Sequence, residues 1–115
     1  LKDRVAVVTG GAGPNGLGFA TARMMAAQGA TIVILDLAQA DPAAAAARLG
    51  PQHMGLVADV TDKASCDAAV AQVLAYVYRL KAALRGEGPM PGDLPQPFVP
   101  QELDPLAKNS KAIAA

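Results

Sequence analysis

An apolar run, Val5-Ala6-Val7-Val8, stops abruptly in Thr9-Gly10-Gly11-Ala12-Gly13-Pro14-Asn15-Gly16-Leu17-Gly18, and a helical pattern restarts from there. Few folds accommodate that order. Glycine lacks Cβ, so it turns at positive φ and lets main-chain N–H groups approach an anion, which then meets the positive end of the next helix. The segment therefore predicts a strand, a phosphate loop and a helix. Asp36, closing the next apolar run Thr31-Ile32-Val33-Ile34-Leu35, supplies the acid that a dinucleotide fingerprint requires in this context.

The rest of the chain extends the pattern. Val5 to Val8 shows no alternation, as expected of a strand buried on both faces of a parallel sheet. A helix is predicted over Gly16 to Gln28, with Leu17, Ala20, Met24 and Ala27 near its apolar face and Gly29 as its stop. With the second strand ending at Asp36 this makes a parallel βαβ unit. Asp41-Pro42 is a helix start, a capping carboxylate followed by a first-turn proline, and the alanine-rich stretch to Leu49 runs until Gly50-Pro51. Met54 to Ala58 reads as a third strand ending at Asp59. Thr61-Asp62 opens a helix of about 24 residues, with Cys66, Val70, Val73, Val77, Leu80 and Leu84 at three-and-four spacing. At Gly86 the composition changes. Six of the nine prolines lie between Pro89 and Pro105, which predicts an extended or irregular tail over 86–115 beside a domain over 1–85. The fold class is α/β: a partial Rossmann-type sheet of three parallel strands with flanking helices and a Pro-rich carboxy-terminal tail.

Composition removes several classes of function. Ten basic and ten acidic residues balance, and no basic patch interleaves with aromatics, so neither nucleic acid nor a membrane surface is an expected partner. One cysteine and one histidine offer no metal-ligand cluster. Cys66 reads as a small packed hydrophobe, His53 as a surface or strand-edge residue, and the expected location is cytoplasmic. At 115 residues beginning with Leu1, the chain is short for a complete nucleotide-dependent enzyme and reads as a fragment.

At Thr9-Gly10, Gly16-Leu17-Gly18, Asp36-Leu37 and Asp59-Val60 the chain resembles the short-chain dehydrogenase/reductase family, nearest its 3-hydroxyacyl-CoA (17β-hydroxysteroid) dehydrogenase type, over about residues 2 to 75. The resemblance implies a Rossmann-type fold, NAD as cofactor, and oxidation of a secondary alcohol or reduction of a ketone. It further implies that Gly10, Gly16 and Gly18 are the loop glycines and that Asn15 and Leu17 touch the cofactor through the main chain. Asp36, followed by Leu37, would take the adenosine ribose hydroxyls and favour NAD over NADP, and Asp59-Val60 would bracket the adenine.

Two departures matter. Five residues separate Gly10 from Gly16 where the family has three, while Gly18 keeps its separations of 11 residues to Gly29 and 18 to Asp36, which places a two-residue insertion within Gly11 to Asn15. The family's chemistry also uses a serine and a Tyr-x-x-x-Lys pair, in which lysine lowers the tyrosine pKa. Lys81 falls five residues after Tyr76 and three after Tyr78, so both tyrosines read as helix residues and no catalytic residue is assigned. The expected function is the NAD-binding portion of an oxidoreductase, acting on an alcohol or ketone only when completed by missing residues. The alternative is a non-catalytic nucleotide-binding or protein-interaction module. Without the strand expected after the long helix, Val5 to Val8 would form an apolar edge, and self-association is expected unless Phe98-Val99 covers it.

Overall fold

The computed structural model describes residues 1–86; the Pro-rich tail, including Phe98-Val99, lies outside the described residues. Three parallel strands, β1 (Val5–Thr9), β2 (Thr31–Asp36) and β3 (Met54–Val57), pair in the order β1-β2-β3. Their connections carry helices α1 (Leu17–Ala27) and α2 (Pro42–Leu49), with a single 3-10 turn at Ala38–Ala40, and α3 (Lys63–Leu84) follows. The chain forms two compact units, one spanning Leu1–Cys66 and the other beginning at Asp67, so α3 runs from the first into the second.

In the first unit the β-branched strands meet one layer of helices. Val5 pairs with Thr31 and Thr9 with Leu35, while Val33 pairs with Met54 and Asp36 with Val57. Because successive side chains alternate, Ile32 and Ile34 join Ala12, Ala22, Ala30, Ala45 and Ala46 in one core, with Ala6, Val8, Phe19 and Met25 packed against it. Burial on both faces holds for β2, where Ile32, Val33 and Ile34 are all fully buried, and fails for β1, where Val7 is 47% exposed. The difference follows from position: β2 is the middle strand, and β1 has a neighbour on one side only among the described residues.

The small residues of α2 let it lie close to the sheet. Ala45 and Ala46 are buried, and a Cβ on Gly55 of β3 would overlap the Pro42 carbonyl in the first turn of α2, which accounts for a glycine inside a strand. Asp41 caps that turn, its carboxylate accepting from Ala44 N at 3.1 Å. Asp62 caps α3 in the same way, accepting from Ala64 N at 3.2 Å and Ser65 N at 3.3 Å.

The predicted helix faces need correction. Leu17 and Met24 are 89% and 70% exposed, and Ala27 is exposed as well; α1 buries Ala22 and packs Phe19, Met25 and Ala26. Close approach of small residues, rather than the largest apolar side chains, selects the buried side. On α3, Leu80 is buried and Cys66, Val73 and Val77 are half-buried on the predicted face, whereas Val70 is exposed; Ala69, Ala75 and Tyr76, outside the predicted set, are buried as well. Burial pushes the Tyr76 phenol up to about 12.

His53 also departs from expectation. It is buried just before β3, and its Nδ1 accepts from Ile32 N at 2.9 Å. The ladder between β2 and β3 begins at Val33 and Met54, so the imidazole takes the place of a carbonyl one residue before it. Desolvation holds its pKa below the ordinary histidine value. Cys66 is half-buried, its Sγ donating to the Asp59 carbonyl at 3.6 Å.

Candidate functional site

Parallel register puts the carboxyl ends of all three strands on one edge. Gly10 N donates to Leu35 O at 2.8 Å and Ala58 N to Asp36 O at 2.8 Å, so the turns leaving β1, β2 and β3 start side by side. Gly10, Asp36-Leu37 and Asp59-Val60 all lie on this edge.

The loop after β1 is built by two close contacts. Gly10 sits at φ +68°, which an L side chain rarely adopts, and turns the chain sharply. Gly18, in the first turn of α1, lies so close to the loop that a Cβ there would stand 2.6 Å from Gly10 O. At this point helix and loop touch backbone to backbone. Between these points Gly11 and Ala12 are buried, whereas Gly13, Pro14 and Asn15 are exposed in a turn closed by Gly16 N donating to Gly13 O at 3.0 Å. The exposed turn falls within the Gly11 to Asn15 stretch to which the spacing assigns the two extra residues.

α1 differs from the other helices at its start. Gly16 is its N-cap and makes no side-chain capping bond, whereas α2 and α3 are each preceded by an aspartate whose carboxylate bonds their first amides. The first amides of α1 therefore present uncompensated positive charge beside the glycine loop.

Asp36 is the acidic partner of that loop. Its Oδ2 accepts from Ala12 N at 3.0 Å and its Oδ1 from Leu37 N at 2.9 Å. Each oxygen retains a further lone pair for an outside donor. Asp59 behaves differently: its Oδ1 accepts from both Thr61 N at 2.9 Å and Thr61 Oγ1 at 2.7 Å, and these bonds hold its carboxyl below the usual range. Asp59 N is the donor to Ser65 Oγ at 2.9 Å, so this residue shapes the turn into α3. Leu17, Leu37 and Val60 are exposed apolar side chains, 39% exposed at the least. Of the sequence-predicted residues, Gly10 and Gly18 meet through the backbone and Asp36 bonds the same loop at Ala12; Gly16 caps α1, Asp59 bonds its own turn at Thr61, and Asn15, Leu17, Leu37 and Val60 are exposed. Sequence reading missed the contribution of Ala12, a residue whose type carries no chemical signal, and of Arg48, whose Nη2 donates to Ala12 O at 3.3 Å.

Among the described residues no group of His, Cys, Asp or Glu could hold a metal ion, and no helix is long and apolar enough to cross a membrane.

A parallel strand, a glycine turn, a helix opening without a cap and a second strand closing on an acid define the nucleotide-binding half of a doubly wound α/β sheet. Comparison with known proteins narrows this class. The family model for short chain dehydrogenase matches residues 4–89, and the chain belongs to that family. It is 44% identical over 78 residues to "Uncharacterized short-chain type dehydrogenase/reductase y4mP" of Sinorhizobium fredii, covering 64% of this chain and 31% of that protein. It is 39% identical over 88 residues to 3-hydroxyacyl-CoA dehydrogenase type-2 of Homo sapiens, covering 76% and 33%. A solved short chain dehydrogenase/reductase family protein superposes with a TM-score of 0.56 at 40% identity, over 63% of this chain and 30% of that one. The chain spans about a third of the length of these relatives.

Proposed function

We propose that this chain binds NAD(H) as the cofactor-holding part of an oxidoreductase that transfers hydride between a secondary alcohol and a ketone. The observation that carries the reading is the uncapped start of α1 set against the Gly10–Gly18 contact, with Asp36 bonded to the loop on the adjacent strand. The pyrophosphate would take the first amides of α1 and the open space beside Gly10 and Gly13, where a Cβ would meet no atom within 4 Å. Asp36 would accept the ribose hydroxyls with the lone pairs left free by Ala12 N and Leu37 N. Leu17, Leu37 and Val60 supply apolar surface for the adenine end.

Family members use NAD or NADP, and Asp36 favours the first. A 2′-phosphate carries nearly two charges; about 4 Å from a carboxylate each unit charge costs about 1 kcal/mol in water, so discrimination of about tenfold or more is expected after salt screening. The bound nicotinamide would supply the hydride chemistry. This chain's own residues bind and orient the cofactor, and no proton-transferring role is assigned to Tyr76 or Tyr78.

Titration of the chain with NADH and NADPH, followed by calorimetry and nucleotide fluorescence, tests the reading. NADH should bind at least about tenfold more tightly, and Asp36→Ala should narrow that gap. Equal affinities in the unmutated chain would refute the role of Asp36, and absence of binding to either would refute the site.

A further inference from the structure

We propose that Arg48 is a positioning residue for the dinucleotide loop, holding the backbone of Ala12 in the conformation that lets Asp36 bind its N–H. The inference rests on the reading of this loop as a dinucleotide site.

Ala12 is 2% exposed, yet its peptide groups are satisfied by two side chains remote in sequence. Its N–H donates to Asp36 Oδ2 at 3.0 Å, and its carbonyl accepts from Arg48 Nη2 at 3.3 Å. The residue is thus gripped from both ends, by an acid at the end of β2 and a base in the last turn of α2. Arg48 is itself held: its guanidinium carbon stands 4.8 Å from the centroid of the Phe19 ring, within the roughly 6 Å at which a cation and an aromatic face attract. Phe19 belongs to the first turns of α1, so one side chain joins the loop, the helix that follows it and α2.

The two bonds act on the two peptide groups that flank the Ala12 Cα, one held by Asp36 and the other by Arg48, so together they restrain both backbone torsions of that residue. The Ala12 N–H consumes one lone pair of Oδ2 and fixes the carboxylate plane. The pair left over then points where a ribose hydroxyl can be received. Without Arg48 the buried carbonyl loses its donor, the Ala12 backbone is less restrained, and one of the two bonds that orient Asp36 weakens, the other being that from Leu37 N. A lysine at this position retains the charge and one donor, which is all that the single Nη2 contact uses, but not the planar stack on Phe19.

The test compares Arg48→Met, Arg48→Lys and Asp36→Ala/Arg48→Met with the unmutated chain. NADH affinity and hydrogen exchange at the Ala12 amide are measured, with the Ile34 amide as an internal reference for the β2 core. Arg48→Met should weaken NADH by about fivefold, the worth of one net hydrogen bond, and speed exchange at Ala12 by a similar factor while leaving Ile34 unchanged. Arg48→Lys should recover about half of that loss. Measured beside the Asp36→Ala single variant, the two effects should fall short of adding in the double variant, because both bonds restrain the backbone of one residue. Unchanged affinity and unchanged Ala12 exchange in a folded Arg48→Met would overturn the proposal. So would exchange that rises equally at Ala12 and Ile34, which marks a general loss of stability. If the unmutated chain takes up no NADH, the dinucleotide reading fails by itself, and Ala12 exchange still decides whether Arg48 orders the loop.

Discussion

Replacing Gly18 by alanine tests the backbone contact on which the loop depends. The added Cβ would lie 2.6 Å from Gly10 O, 3.0 Å from Gly11 Cα and 3.1 Å from Gly10 C, all main-chain atoms with no rotamer to yield. Ordinary contact begins near 3.4 Å, so the start of α1 must retreat by about 0.8 Å from the oxygen. The loop cannot follow, since Gly10 N is bonded to Leu35 O at 2.8 Å and Ala12 N to Asp36 at 3.0 Å. Overpacking of this kind costs about 1–3 kcal/mol, and the better helix propensity of alanine returns up to about 1 kcal/mol, leaving a net loss of about 1–2 kcal/mol. For a domain of this size that is a fall in Tm of roughly 5–15 °C. Thermal unfolding followed by circular dichroism measures it, and NADH titration should show binding at least about tenfold weaker, since the helix amides move away from the anion. Gly13→Ala is the internal control, because its Cβ would meet nothing within 4 Å, and it should change stability by less than about 0.5 kcal/mol. A Gly18→Ala protein that melts within a degree of the parent, or a Gly13→Ala that falls as far, would refute the close-packing argument.

Other outcomes follow from the same geometry. His53 must be neutral to accept from Ile32 N, and burial lowers its folded pKa, so the unfolded chain takes up the proton first as pH falls below about 6.5. Stability should therefore be full above that pH and decline below it down to the folded pKa. Urea midpoints at pH 7.5 and 5.5 should differ in the parent and converge in His53→Gln, while Asp59, with a carboxyl held below 3.8, contributes nothing in that window. Gly55→Ala should be the most damaging of the glycine changes, at about 3 kcal/mol or more, because its Cβ overlaps the Pro42 carbonyl; a denaturation midpoint close to the parent's would contradict the placement of α2. The chain by itself should show no dehydrogenase turnover with a 3-hydroxyacyl-CoA, and turnover abolished by Gly16→Val would overturn that expectation.

The elements that sequence made legible are those whose local chemistry agrees with their tertiary role. Asp41-Pro42 announces α2 because a capping carboxylate and a fixed φ act within one turn, and Gly29, at φ +91°, ends α1 for an equally local reason. The glycine loop and Asp36 were readable because strand, turn and acid keep a fixed order. The buried side of α1 was not readable: side-chain size points to Leu17 and Met24, while packing selects Phe19 and Ala22, with Gly18 in backbone contact with the loop. His53 and Arg48 stayed hidden because their partners, Ile32 N and Ala12 O, are main-chain atoms 21 and 36 residues away, and no side-chain pattern records a bond to backbone.

The exposed turn at Gly13-Pro14-Asn15 has a consequence for how such loops can vary. Upstream the chain is pinned at Ala12 by Asp36 and Arg48, and downstream at Gly18 by the backbone of Gly10. Between two fixed points, lengthening a short loop by two residues raises its closure entropy cost by only a few tenths of a kcal/mol. The helix from Gly18 onward is held by the second pin whatever the length between the two. Length here is mechanically uncoupled from the packing of α1, so this turn is a natural position for insertions, and a graft of foreign residues between Gly13 and Gly16 would report on the loop's surroundings without moving the helix that follows.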